Sequence, residues 1–215
     1  MLPIPPPRPE LGPLKPLSSA RTSFTRRADG VLVLTIDHDV IRGVTPPILR
    51  WWFENLGETM EHAGRTWPRY LLWHPRDHIH WELARRSPTG GTGQRAYFRI
   101  VEAFNADPRF YVDSTEYVEK LDDEGISLVR TIAGAEVFRL EHRFREVEGG
   151  SEYRSRMTVG LALPLVGPAF NRWVRPRLLS DEAARAWLKH NVEEVGLLEH
   201  LLPAVYPRPV AALVP

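Results

Sequence analysis

The chain has 215 residues, 43% of them hydrophobic, enough for one domain with a real core and a poorer fit to two small ones. Its 28 basic and 27 acidic residues are spread along the sequence and leave a formal net charge of +1, so no electrostatic footprint for nucleic acid is present. Cysteine is absent, which excludes disulfides and thiolate metal sites and leaves histidine and carboxylate to hold any metal.

The amino terminus, Met1 to Pro9, lacks the apolar core of a signal peptide, and no run approaches the ~20 apolar residues of a membrane span. The expectation is a soluble cytoplasmic protein with neither nucleic-acid nor membrane partners. Residues 1–20 carry many prolines and cannot form a helix or a central strand; they read as an extended arm ahead of a single domain over 21–206 and a proline-containing tail over 207–215. Behind the turn Ala28-Asp29-Gly30, the β-branched run Val31 to Ile36 predicts the first strand. Thr45-Pro46-Pro47 can start a helix, and Ile48, Leu49, Trp52, Phe53, Leu56 and Met60 recur at helical spacing toward Gly64. Trp51, Trp52 and Phe53 read as packing residues, one of them at the mouth of a cavity.

Next comes Trp73-His74-Pro75-Arg76-Asp77-His78-Ile79-His80-Trp81-Glu82, three histidines and two acids around a proline turn. Pro75 biases His74 to an extended conformation that can aim its imidazole into a cavity mouth. Strand alternation would place His78, His80 and Glu82 on one face. From about residue 78 to 163 the pattern alternates between glycine- and aspartate-rich turns, predicting about six antiparallel strands. Within them Glu102 shares a face with Phe98, Ile100 and Phe104, His142 with Phe138, Leu140 and Phe144, and Tyr153 with Met157, Val159 and Leu161. Pro176 closes a loop, and Ser180 caps a helix that runs to Pro203 with Asp181 and Glu182 in its first turn. On that helix His190 and Glu194 lie one turn apart on an apolar face with Ala183, Ala186, Trp187, Leu197 and Leu201. A second apolar face, of Leu188, Val192, Val195 and Leu202, would pack on another element or on a second subunit of a homodimer.

Strand, short helices, strands and a long last helix is the element order of the α+β helix-grip architecture of Bet v 1-like and START proteins, in which a curved antiparallel sheet wraps the last helix around a cavity. A buried imidazole and carboxylate need compensation for lost water, and either a mutual hydrogen bond or a shared cation would serve. Parity brings Glu102 to the same hollow, with Glu82 as the competing strand carboxylate. His78, His80 and Glu82 are the set for a separate strand-face site.

Three motifs in order, Gly43-Val44-Thr45-Pro46 leading to Trp51-Trp52-Phe53, then Trp73-His74-Pro75-Arg76-Asp77-His78, then His190-Asn191-Val192-Glu193-Glu194, resemble the diacetylphloroglucinol hydrolase and phloretin hydrolase family over roughly residues 40–205. The resemblance implies a Bet v 1-like domain that binds Zn2+ through two histidines and two glutamates, needs no organic cofactor, and hydrolyses the carbon–carbon bond between an acyl carbonyl and a phenolic ring. By motif it implies His74, Glu102, His190 and Glu194 as ligands. The substrate would be an acylated phenol or polyketide, with His142 or Tyr153 orienting phenolic oxygens or shuttling a proton, and Asp77 and His78 hydrogen-bonding at the cavity mouth. The competing reading is a metal-free polyketide cyclase or carrier of an apolar ligand.

Overall fold

A computed structural model describes residues 1–207, so most of the carboxy-terminal tail, 208–215, lies outside the described residues. The chain order is β1 (Arg21–Arg26), β2 (Leu32–Asp37), β3 (Ile41–Arg42), α1 (Pro46–Glu54), β4 (Thr59–His62), β5 (Arg65–Pro68), α2 (Arg69–Trp73), β6 (His78–Arg85), β7 (Tyr97–Ala103), β8 (Tyr111–Asp122), β9 (Gly125–Ile132), β10 (Ala135–Val147), β11 (Gly150–Val159), α3 (Gly167–Trp173), α4 (Arg175–Leu178) and α5 (Asp181–Val205). A nine-stranded antiparallel sheet in the order β1-β2-β11-β10-β9-β8-β7-β6, with β3 added beside β11, carries α5 on its inner face. Leu34, Met157 and Val159 of the sheet pack with Ala183 and Trp187 of α5, while Phe144 and Leu128 meet Leu198 further along. This is the expected helix-grip arrangement.

Strands β7, β8, β10 and β11 follow the alternation in the sequence, burying one face more than the other, whereas β9 is buried on both faces over Gly125–Val129. Differences lie at the edges. β1 was not expected: Arg-Thr-Ser-Phe-Thr-Arg is an edge strand with almost all its side chains outside, so hydrophobic periodicity gives no sign of it. The helix expected over 45–64 stops at Glu54, and Met60 belongs to the hairpin β4–β5, whose turn holds Ala63 and Gly64 in the left-handed region. Pro176 does not close a loop but sits in the first turn of the short helix α4. Ser180 caps α5 as its sequence suggests, its hydroxyl accepting the Ala183 amide at 3.1 Å.

α5 is buried on nearly every side. Leu188, Val192, Val195 and Leu202 are covered by the chain itself, Ile41 and Val44 among their neighbours, so this face offers no apolar surface to a second subunit. The proline-rich arm supplies part of that cover. Lys15 lays its stem across Gly196, where a Cβ would collide with it, and its ammonium meets Glu199 at 2.8 Å. No helix among the described residues is long and apolar enough to cross a membrane.

The arm also plugs the fold beside the site. Arg8 is 6% exposed and donates from Nε to the Leu71 carbonyl at 2.9 Å, and from Nη2 to the carbonyls of His74 (3.1 Å) and His78. These oxygens end α2 and open β6, where of the three the His74 carbonyl also accepts the His78 amide, at 3.4 Å. Arg8→Ala should therefore cost about 1–3 kcal/mol in urea unfolding of the full chain. Arg8→Lys should recover only part of it, because one ammonium cannot span three carbonyls.

Candidate metal centre

Three carboxylates and three imidazoles converge where α2, β6, β7 and α5 meet. Among the described residues, every ion pair made by Asp77, Glu102 and Glu194 is with a histidine. The tautomer of each ring follows from its partners.

His78 begins β6, and its Nδ1 donates to the Tyr70 carbonyl at 2.6 Å, which puts the ring proton there. Its Nε2 is left with a lone pair 3.3 Å from both Glu102 Oε1 and Glu194 Oε2, and it has no hydrogen-bond partner. Burial drives the His78 pKa down to about 3, so the ring stays neutral despite the pull of Glu102. A buried lone pair facing two carboxylates is a costly arrangement that a cation would satisfy. The Tyr70 ring stacks on His78 at 3.9 Å, and the Tyr70 hydroxyl donates to Glu102 Oε1.

His190, on α5, donates from Nδ1 to Asp77 Oδ2 at 3.0 Å and turns Nε2 toward Glu102 Oε2 (3.7 Å) and Glu194 Oε2 (3.8 Å). Burial opposes charge on this ring, yet Glu194, Glu102 and Asp77 together raise its pKa to about 9. Asp77 is held from behind. Its carboxylate accepts the amides of Asn105 (3.0 Å) and Ala106 (3.1 Å), both residues in the left-handed region, and these bonds with His190 outweigh burial and hold its pKa well below the usual range. Glu194 accepts Asn191 Nδ2 at 2.5 Å through Oε1, which leaves Oε2 for the cluster.

Glu102, His190 and Glu194 thus come together as the sequence suggested, with His78 as the fourth group. His74 is not among them. Its Nδ1 accepts the Asp77 amide at 3.1 Å, so its proton sits on Nε2, which faces Glu193 Oε2 at 3.3 Å and Asp77 Oδ2 at 3.6 Å. The ring has no free lone pair and stacks on His190 at 4.6 Å as a support. Asp77 and His78 are at 2% and 0% exposure, inside the site rather than at a mouth.

The exchange between the two histidines has a local cause. The ladder pairs His78 with Glu102 but His80 with Val101, so a β-bulge at Ile79 reverses the alternation. His78 faces inward, whereas His80 and Glu82 face out, pairing with each other at 2.8 Å and with Arg99. Glu82 is therefore no ligand candidate, and no strand-face site of His78, His80 and Glu82 exists.

The cluster forms one end of a cavity of about 110 Å³ walled by Phe53, Trp81, Phe98, Leu128 and Leu140. His142 lines it. Its Nδ1 is 2.9 Å from Ser155 Oγ, and the same hydroxyl is 2.9 Å from His38 Nε2. Tyr153 is fully buried behind His142, edge-on to His38, and its hydroxyl has no partner; it does not line the cavity, against the expectation of substrate contact. The roles of Tyr70 and His38 arise from neighbours distant in sequence, Glu102 and Ser155, whereas Asn191 acts on Glu194 only three residues on, a pair that helical spacing offers.

Compared with known proteins, the chain resembles Ara h 8.0201 (10% identity, TM-score 0.46, covering 78% of this chain and 98% of that one). It also resembles a START superfamily protein from Mycobacterium smegmatis (12%, 0.42, 77% and 98%) and the di-domain ARO/CYC StfQ from the steffimycin pathway (13%, 0.47, 80% and 53%). No curated protein matches the sequence. The profile of the DAPG hydrolase PhiG domain matches residues 15–207, a span that runs from the arm through the last turn of α5, and the chain belongs to this hydrolase family.

Proposed function

We propose that the protein is a zinc-dependent hydrolase that cleaves the carbon–carbon bond between an acyl carbonyl and a phenolic ring, adding water to give a carboxylic acid and the deacylated phenol. The observation that carries this reading is the His78 Nε2 lone pair, buried without a partner between two carboxylates that themselves lack a cationic partner other than histidine. His78, Glu102, His190 and Glu194 would hold the ion, a two-imidazole, two-carboxylate set suited to zinc. When bound there, a divalent cation supplies Lewis acidity toward an acyl carbonyl and toward water. His74, Asp77, Tyr70 and Asn191 orient those four side chains through the hydrogen bonds and stacking described above.

The chain's other contribution is to the ring. An aryl carbanion is a poor leaving group, so the ring carbon must gain a proton as the bond breaks, and a ring hydroxyl that becomes a carbonyl makes this feasible. His142 is the group placed to manage that proton at its Nε2, since Nδ1 is engaged by Ser155. Ser155 has one hydroxyl proton for two imidazoles. When it donates to His142 Nδ1, His142 presents an N–H to the cavity; when it donates to His38, His142 presents a lone pair. The apolar wall excludes bulk water from this exchange.

Elemental analysis of the purified chain should give close to one zinc per molecule. His78→Ala and Glu194→Ala should lose the metal together with carboxylate release from acylphloroglucinols, whereas His74→Ala should keep metal and lose about 10- to 100-fold in affinity for it or in turnover. A His78→Ala chain that retains metal and turnover would remove the proposal, and a wild-type chain without metal would favour the cyclase or carrier. His142→Ala should abolish carboxylate release with the metal retained.

Burial also lowers His142 and His38 to about 3, the latter with a contribution from His142. Unfolded, both titrate near 6.5, so between that pH and 3 the unfolded chain binds more protons. Stability from the two neutral rings is complete above about pH 6.5 and is lost as pH falls, at up to about 1.4 kcal/mol per pH unit for each. Urea midpoints of the metal-free chain should drop accordingly from pH 7 to 4, and His142→Asn should remove one ring's share.

A further inference from the structure

The cavity holds a second polar group that the chemistry above does not use. Glu116, on β8, is 5% exposed, lines the cavity, and its Oε2 has no hydrogen-bond partner. The ladder between β7 and β8 pairs Glu102 with Val112, Ile100 with Ser114 and Phe98 with Glu116. Glu116 thus stands two inward rungs from the Glu102 rung, about 13 Å along the strand at ~3.3 Å per residue. Side chains reaching in from both ends leave room between them for one acylated ring.

Its neighbours strengthen the case. Ser114 and Arg130 line the same stretch of wall, and both favour the ionised form of the carboxyl. Burial, with the charge of Glu102, pushes the Glu116 carboxyl up to about 7 against the opposing pull of Ser114. An unpartnered polar atom in this position destabilises the fold relative to an apolar residue of similar shape. The partner it lacks is one the cavity would receive.

We propose that Ser114, Glu116 and Arg130 form a second polar subsite that hydrogen-bonds a phenolic hydroxyl at the end of the ring remote from the scissile carbonyl, and so selects among acylphenols. This rests on the acylphenol reading and names the substrate feature that the site measures. Glu116 Oε2 accepts a hydrogen bond from the hydroxyl when ionised and can donate one when protonated, and Arg130 favours negative charge on the carboxyl.

The test compares two ligands on the full-length protein as purified: the trihydroxyacetophenone with hydroxyls at both ortho positions and opposite the acetyl group, and the dihydroxyacetophenone lacking only the opposite hydroxyl. Trp73, Trp81 and Trp187 line the cavity and report binding by fluorescence quenching, with acetate release followed separately. Wild type should prefer the trihydroxy compound by about tenfold or more, as one hydrogen bond to a buried carboxyl allows. Glu116→Leu should erase that preference while leaving affinity for the dihydroxy compound within about twofold, and Glu116→Gln should keep most of it. Should Glu116→Leu fail to fold, Arg130→Gln provides the same reading, with a several-fold loss of preference expected. Equal binding of the two ligands, binding of neither, or a preference that survives in the variants would overturn the subsite. Glu116-dependent preference without acetate release would instead retire the hydrolase reading and leave the subsite standing, whereas acetate release with an unchanged preference would do the opposite.

Discussion

The protein's organisation turns on one electrostatic constraint: Asp77, Glu102 and Glu194 are held together largely out of water, and among the described residues their ionic partners are imidazoles. Removing a carboxylate from water costs several kcal/mol, and a neighbouring carboxylate adds to that cost unless positive charge lies between them. Asp77 meets the constraint locally, by accepting two backbone amides and the His190 N–H. Glu102 and Glu194 do not: Asn191 occupies one oxygen of Glu194 and leaves the other facing His78 and His190, while Glu102 turns Oε1, which also accepts from Tyr70, to His78 and Oε2 to His190. The divalent cation of the proposed function would supply positive charge at that centre.

Holding four side chains around such a point requires rigid elements from distant parts of the chain, and each has an identifiable local device. His190 and Glu194 are one turn apart on a helix clasped on all sides, so their spacing is fixed by helical geometry. Glu102 sits on β7, which is paired on both sides, by β6 and β8. His78 depends on the Pro75 turn before it, the bulge at Ile79 after it and the Arg8 plug over its carbonyl. That last dependence makes the proline-rich arm part of the site's construction, although none of its side chains enters the cavity.

Much of this was legible in the sequence. Period-two alternation identified the strands from β6 to β11 and the inward positions of Glu102 and His142, and helical spacing identified His190 and Glu194. Glu116 is equally legible, since it alternates with Val112, Ser114 and Val118 as Glu102 does with its neighbours, but an isolated carboxylate on a strand carries no motif that marks it as functional. The His74 and His78 assignment could not be read by parity. A bulge adds one residue without a compositional mark, and it reverses every inside–outside inference on its near side. The tautomers were out of reach as well, because they follow from the Tyr70 carbonyl and the Asp77 amide, whose positions only the folded backbone defines.

The same geometry explains how the chain can fold before any ion arrives. Burial alone would make His190 shed its proton, but the surrounding carboxylates reverse the sign and hold the ring protonated through neutral pH. A proton therefore occupies part of the electrostatic role that the cation would take over, and His78, whose Nε2 is aimed at the same two glutamates, stays neutral with its lone pair available. The asymmetry comes from the partners on the far sides of the rings. His190 leans on a carboxylate, Asp77, which stabilises its charged form, while His78 leans on a neutral carbonyl, that of Tyr70, which fixes its tautomer with far less support for charge. Two imidazoles facing one centre are thereby set to different protonation states by what stands behind them.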